Sequence, residues 1–342
     1  MQKTRVFTVL LACVLSCSAC GSGGSPTAPS PPAADFASQF DSLWTTFDRE
    51  YAYFQHKRID WNALRTSYRP RALAAPDQRG FIDVIRELLS NLRDGHVYLR
   101  DPGGALVATY LSPAFVNWDR AAWQNYRDRA GWTQGANDWG HGVLDGVPYL
   151  YFGGWSASSI RSADFDGAFE RYRNAPALIV DVRNNGGGND SLAFEIAGRF
   201  TPATISAGYV RFRNGPSHTD FGSPIQRPVN PRGAWQYGGT VLLLIGRRSA
   251  SSNESFTTAM SQLPNVTLAG DRTAGSTGNP GTFPLAGGWS YTVSRWIEYS
   301  PDNQVIEDNG IAPDVFVATS AADFSSGRDP VLDWALNRLA VR

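Results

Sequence analysis

The sequence predicts a mixed α/β protein, with helices packed on a sheet and a smaller helical subdomain in front. Two observations carry this. From about Val143 onward, apolar runs of strand length alternate with segments of helix length. Between residues 36 and 92, apolar residues recur instead at helical spacing. The 342-residue chain holds 31 basic and 31 acidic residues and no long basic run, which argues against a nucleic-acid partner.

The first twenty residues stand apart. Lys3 and Arg5 precede the apolar stretch Phe7 to Leu15, and Ser16-Cys17-Ser18-Ala19-Cys20-Gly21 follows. This reads as an export signal, too short for an ordinary spanning helix. All three cysteines lie in it, so the body has none for disulfides, structural zinc or a catalytic thiol. Their placement resembles a bacterial lipobox. Cys20 is the preferred lipidated residue and Cys17 the alternative; cleavage near Ala19 for plain secretion is the third reading. Gly21 after Cys20 favours the outer membrane, facing the periplasm. Residues 21–35, rich in Gly, Ser and Pro, read as a tether suited to a lipid-anchored domain.

Phe36, Phe40, Leu43, Trp44 and Phe47 predict a first helix. A second is expected from about Asp60 through Tyr68, and a third from Asp77 to Leu92, stopped by Asp94-Gly95. The helical subdomain, 36–100, carries His96. Residues 101–142, rich in Trp, Gly and Asn, form a connecting region of unassigned structure whose aromatics could line a peptide groove. The core, 143–342, is expected to hold strands at Val147–Phe152, Ala177–Val182, Val241–Ile245, Val266–Ala269 and Trp289–Ser300. Helices are expected at Ile160–Tyr172, Ser191–Phe200 and after Ser251.

Ser251 falls in a loop between the apolar run Val241–Ile245 and a helix. Unpaired N–H groups at a helix N-terminus form a ready site for a developing oxyanion. The competing reading of Ser251-x-x-Glu254 is a capping box. A neutral-pH base for serine is scarce in this chain. It has two lysines, Lys3 and Lys57, the first in the signal and the second distant in sequence. Arginine does not deprotonate. Four histidines remain. His56 adjoins Lys57-Arg58 and is expected at the surface, and His218 sits in a polar loop. His96, at a helix-to-strand junction, and His141, just before a strand, rate about equally.

Asp181-Val182-Arg183-Asn184-Asn185-Gly186-Gly187-Gly188 joins a buried strand to a helix. It lacks the Lys-Ser/Thr of a phosphate loop, and reads as a tight turn or as one half of an oxyanion hole. Glu307 closes a strand-like run before an Asn-Gly bend. It reads as a polar turn, or as the carboxylate that orients a catalytic imidazole.

In their order, these segments resemble peptidase family S41, the C-terminal processing and tricorn-type proteases. The resemblance covers most of residues 36–340 and implies a crotonase/ClpP-like ββα core. It places the nucleophile at Ser251. The segment Gly270 to Ser276 is similar to the one carrying the base lysine of the processing branch, but Ser276 stands at that position. The resemblance therefore points to the tricorn-type branch, with His96 as base and Glu307 as its carboxylate. It implies oxyanion donors at Gly187 or Gly188 and at Ser252. Asp181, Arg183, Asn185, Glu254 and Ser276 are implied as substrate-binding or supporting residues. The implied partner is a protein or peptide, and no metal or organic cofactor is required.

There are two departures. The tricorn pattern has a serine before the histidine, where this chain has Gly95. Glu307 must then reach His96 directly, through water or through another group. The fifty or so residues between His96 and Val147 are short for an inserted PDZ domain. Two rival functions are an apolar-ligand module, as in the similar repeats of interphotoreceptor retinoid-binding protein, and an esterase using Ala274-Gly275-Ser276-Thr277-Gly278 as its elbow. An elbow needs a following helix, which Asn279-Pro280-Gly281 opposes.

Overall fold

Three aspartates start the N-terminal helices. Asp35, Asp60 and Asp77 accept the N–H groups of Ser38, Ala63 and Gly80 and so open α1 (Phe36–Glu50), α2 (Trp61–Leu73) and α3 (Gln78–Ser90). The computed structural model describes residues 35–135, 138–156 and 160–340. The export signal, Cys17, Cys20 and residues 21–34 of the tether lie outside the described residues.

The chain continues through β1 (Tyr98–Arg100), β2 (Leu106–Ala108), α4 (Arg120–Arg129), β3 (Thr133–Gln134), β4 (Trp139–Leu144) and β5 (Val147–Phe152). Then come α5 (Ser162–Phe169), β6 (Ala177–Asp181), α6 (Asp190–Ala197), β7 (Ile205–Phe212), β8 (Ile225–Val229) and β9 (Thr240–Ile245). They are followed by α7 (Ser252–Met260), β10 (Val266–Gly270), β11 (Pro280–Leu285), β12 (Trp289–Ser294) and β13 (Trp296–Tyr299). Last are β14 (Val315–Phe316), α8 (Ala321–Ser325) and α9 (Pro330–Ala340).

The central sheet has the order β14-β10-β9-β6-β5-β4-β3, parallel from β14 to β5 and antiparallel beyond. Its middle strands are apolar on both faces because both are covered. Leu178, Val180, Leu243 and Ile245 pack with α5, α6 and α7, whereas Ile179, Leu242 and Leu244 pack with α4 and α9. That alternation is the period-2 geometry of a strand.

A second sheet, β11-β12-β1-β2, closes the core of α1–α3 through Leu99, Leu285, Tyr291 and Val293. The N-terminal helices thus complete their core with strands from the far end of the chain. The strand expected over Trp289–Ser300 is two strands. They break at Arg295, so that β12 joins this sheet and β13 joins a third, β13-β7-β8. The region 101–142 holds β2, α4, β3 and the first part of β4, and its Trp118, Trp123 and Tyr126 are buried against the central sheet.

Candidate active site

Ser251 follows β9 and immediately precedes α7. Its backbone sits at φ +57° and ψ −131°, a region that side-chain-bearing residues avoid. The surroundings hold it there: Ser251 N–H donates to the Ser276 carbonyl (2.8 Å), and Ser251 C=O accepts from Glu254 N–H (2.7 Å). Its hydroxyl does not cap α7. Glu254 turns away as well, accepting from Thr273 Oγ1 (2.6 Å), Gly275 N–H (2.8 Å) and Ser276 N–H (2.8 Å). The capping-box reading therefore fails, and the loop of residues 273–276 takes the carboxylate. Burial pushes the Glu254 carboxyl up to about 7, against these three donors. Because strain at one residue costs about 1–3 kcal/mol, Ser251→Gly is expected to be more stable than Ser251→Ala by about 1 kcal/mol. Paired urea unfolding checks this, and equal midpoints would show the conformation to be unstrained.

The glycine loop meets Ser251 from the side. A Cβ on Gly187 would lie 2.7 Å from Ser251 Cβ and 3.0 Å from Ser252 N, so only a bare Cα fits. Gly187 N–H donates to Asn185 Oδ1 (2.9 Å), and Gly188 N–H to Ser252 Oγ (3.2 Å). Ser252 N–H has no partner among the described residues. Upstream, Asp181 and Arg183 are fully buried and anchor the strand end. Arg183 donates to both carboxylate oxygens of Asp181, to both of Asp329 and to the Asn117 carbonyl. These five bonds use every guanidinium N–H. Asp181 and Arg183 thus hold the frame rather than line an accessible surface.

His96 is half-buried between α3 and β1. Asp94 Oδ1 accepts its backbone N–H (2.8 Å), and Thr292 Oγ1 donates to its carbonyl (2.6 Å). Its Nδ1 meets Ser276 Oγ at 3.0 Å. A Cβ on Gly95 would approach that oxygen to 3.1 Å, so the glycine leaves room for Ser276. Ser276 is a junction: its carbonyl binds Ser251, its hydroxyl binds His96 and its N–H binds Glu254. Ser251 Oγ and His96 Nε2 carry no hydrogen bond among the described residues. Residues 276–279 lead into β11 and not into a helix, so the elbow geometry belongs to Ser251.

Glu307 does not contact His96, which corrects the direct pairing among the expected routes. Its Oε1 lies 2.8 Å from Lys57 Nζ, and its Oε2 accepts from Thr277 N–H (2.8 Å). The reason is the burial of Lys57, whose ammonium needs anions. It takes Glu307 and Asp308 Oδ1 (2.5 Å) and donates to the Arg93 carbonyl (3.2 Å). Burial pulls the lysine pKa down, but Glu307, Asp94 and Asp308 outweigh it and hold it above its usual value. His56 is half-buried in the same cluster rather than at the surface, its Nε2 3.0 Å from the Glu307 carbonyl oxygen. His141 is buried inside β4 against Tyr172 OH (2.7 Å), and His218 pairs with Asp48 (2.9 Å). Of the four histidines only His96 touches the Ser251 loops through Ser276. Sequence reasoning missed Asp94 and Lys57 as members of this site. The Asp-x-His spacing was a signal for Asp94; nothing local marked Lys57.

Residues 149–317 match peptidase family S41, and residues 32–90 match the tricorn protease C1 domain. Residues 149–317 therefore carry a peptidase family S41 domain, and the chain shares its fold with a solved peptidase. It is 30% identical over 200 residues to a protein named as a tricorn protease homolog in Streptomyces coelicolor. That match covers 57% of this chain and 15% of the relative, so the chain spans only a small part of that protein's length. Among solved structures it is similar to one described as a peptidase from Parabacteroides merdae, with 29% identity and a TM-score of 0.79. That likeness covers 88% of this chain and 95% of the other. Mature CPAF shares the fold at 12% identity and a TM-score of 0.69, covering 86% and 94% of the two chains.

Proposed function

We propose that the protein is a serine endopeptidase of the bacterial cell envelope. In this reading it is lipid-anchored through Cys20, or Cys17, and faces the periplasm, and it acts on protein or peptide substrates. The observation that carries the peptidase mechanism is the Ser276 junction, which ties the strained Ser251 to the ring of His96. The anchor rests on the signal sequence alone. Among the described residues no helix is long and apolar enough to cross a membrane.

With Nδ1–H donating to Ser276 Oγ, the His96 lone pair is left on Nε2. Ser251 Oγ attacks the scissile carbonyl carbon while His96 Nε2 takes its proton. The C–N bond then breaks as His96 returns that proton to the departing amine. Water repeats the sequence, releasing the acid and restoring Ser251. Ser252 N–H and an N–H of Gly187 or Gly188 receive the oxyanion; a glycine N–H must first leave its present acceptor. The charge opposing the imidazolium is Asp94, which raises the ring's pKa. Glu307 acts further back, through Lys57 and Thr277 N–H.

The test is labelling with a serine-directed phosphonate, followed by peptide mapping and hydrolysis of an unfolded protein. Mass gained on the peptide containing Ser251, together with cleavage, is expected. Label on Ser276 instead would transfer the nucleophile to the esterase-type elbow.

Burial lowers the His96 pKa from 6.5, with Asp94 pushing upward and Lys57 downward. A base must be neutral to act, so the acid limb of kcat/KM is expected below pH 6.5. Asp94→Asn removes the opposing anion, and the limb should move lower still while kcat falls. A limb near 7 that Asp94→Asn leaves in place would assign it to Glu254.

A further inference from the structure

We propose that Lys57 is a positioning residue: its buried ammonium clamps together the two chain segments that carry His96 and Ser276, and so aims the imidazole at Ser251. The consequence for catalysis rests on the peptidase reading; the clamp rests on geometry alone. The contacts form a closed ring. Lys57 lies in the turn between α1 and α2, and its Nζ donates to the Arg93 carbonyl (3.2 Å), three residues before His96. On its other side Nζ meets Glu307 Oε1 (2.8 Å), and Glu307 Oε2 accepts from Thr277 N–H (2.8 Å), one residue after Ser276. The contact of Ser276 Oγ with His96 Nδ1 closes the ring.

The same turn grips both segments a second time. Arg93 Nη2 donates to the Lys57 carbonyl (3.3 Å). Tyr53, whose carbonyl accepts from Lys57 N–H (2.9 Å), places its hydroxyl 2.9 Å from Thr277 Oγ1. Nothing in the sheet does this work. The His96 segment leads into β1 and the Ser276 segment into β11, and β12 stands between those two strands. No ladder therefore fixes the separation of His96 from Ser276.

Composition agrees. Lys57 is the single lysine after the signal, in a chain that otherwise uses arginine. The acceptors explain the exception. An ammonium has three donors, and Nζ faces the Arg93 carbonyl, Glu307 and Asp308 Oδ1 (2.5 Å). A guanidinium would bring five donors in one plane to this enclosed point. The groups facing Lys57 are Glu307 and Asp308 from the loop after β13, Asp94 from the turn before β1, and Tyr53 from its own turn; His56 adjoins through Asp308. Burial and the Asp94 charge push the Glu307 carboxyl up, while Lys57 and Thr277 N–H pull it back. Loss of the ammonium thus drives Glu307 toward its neutral form and opens the ring at both of its buried links. It also removes the cation that disfavours the His96 imidazolium.

The test reads His96 directly, in the full chain, by NMR titration of isotope-labelled histidine rings, with His96→Ala assigning the signal. Lys57→Met, Lys57→Arg and Tyr53→Phe are compared with the parent, and kcat and KM are measured on an unfolded protein. In Lys57→Met the His96 titration is expected to move to higher pH, since a neighbouring cation is gone, and the acid limb of kcat/KM to move with it. Its kcat should fall about tenfold to a hundredfold with KM unchanged, because the base is misplaced while the substrate surface is intact. Lys57→Arg should return the titration to the parent position and recover kcat only in part. Tyr53→Phe loosens the second grip alone, so it should lower kcat less and leave the titration in place; it keeps the test open should Lys57→Met not fold. A merely structural lysine would lower the unfolding midpoint and leave the titration and kcat of the folded protein unchanged. That outcome in Lys57→Met, or an unchanged kcat in both Lys57→Arg and Tyr53→Phe, overturns the proposal. A displaced His96 titration in Lys57→Met, with no cleavage by the parent, would leave the clamp standing and sink the peptidase reading. Cleavage by the parent with titration and kcat unmoved in Lys57→Met would do the reverse.

Discussion

Ser251→Ala and His96→Ala are each expected to lower kcat/KM on an unfolded protein by roughly 10⁴-fold or more, with folding intact. Neither side chain supports the core. Ser251 is half-buried, its Oγ has no hydrogen bond among the described residues, and its backbone bonds to Ser276 and Glu254 survive the change. His96 is held mainly by its backbone, through Asp94 and Thr292, so truncating the ring leaves β1 in place. The double variant should lose little more than either single one, because the two groups act in one proton transfer. Ser276→Ala should cost less. It frees the ring of His96 but keeps both backbone bonds, to Ser251 and to Glu254. Turnover by His96→Ala within tenfold of the parent would remove histidine as the base and leave Ser251 without one.

Arg183→Ala is expected to give the largest loss of stability, about 3–5 kcal/mol, because it strands two buried carboxylates. Asp181 and Asp329 together supply four acceptor oxygens to one guanidinium, and all three side chains are fully buried. Asp329 also accepts the N–H groups of Val331 and Leu332 at the start of α9. The Asn117 carbonyl adds the segment before α4. Removing Arg183 therefore unpins a strand end, a helix start and a loop at once. Arg183→Lys should recover only part of the loss, since a lysine offers three donors where five are used. Urea unfolding is the measurement, and a loss under 1 kcal/mol would show that the network is replaceable by water.

Much of the site's local shape was legible in the residues. The apolar run of β9 followed by small polar residues marks a strand-to-helix turn at Ser251, since period and turn chemistry act over a few neighbours. The buried strand β6 before Gly186-Gly187-Gly188 was legible for the same reason, as were α1 and α3 from their 3.6-residue spacing. The absence of cysteine beyond the signal, and of any lysine after Lys57, likewise limited the chemistry from composition alone.

Pairings across the chain were not legible. Local sequence rated His96 and His141 equally and only the family resemblance favoured His96; folding puts His96 against Ser276, 180 residues away, and His141 against Tyr172. Glu307 was the natural carboxylate for the histidine until Lys57, buried on the far side, claimed it. The division of Trp289–Ser300 between two sheets likewise depends on which neighbours receive each half. Spacing along a chain encodes which face of an element a residue occupies. Which distant side chain completes a hydrogen bond or neutralises a buried charge is set by packing, because desolvation makes every buried polar group take the partner that the fold brings within reach.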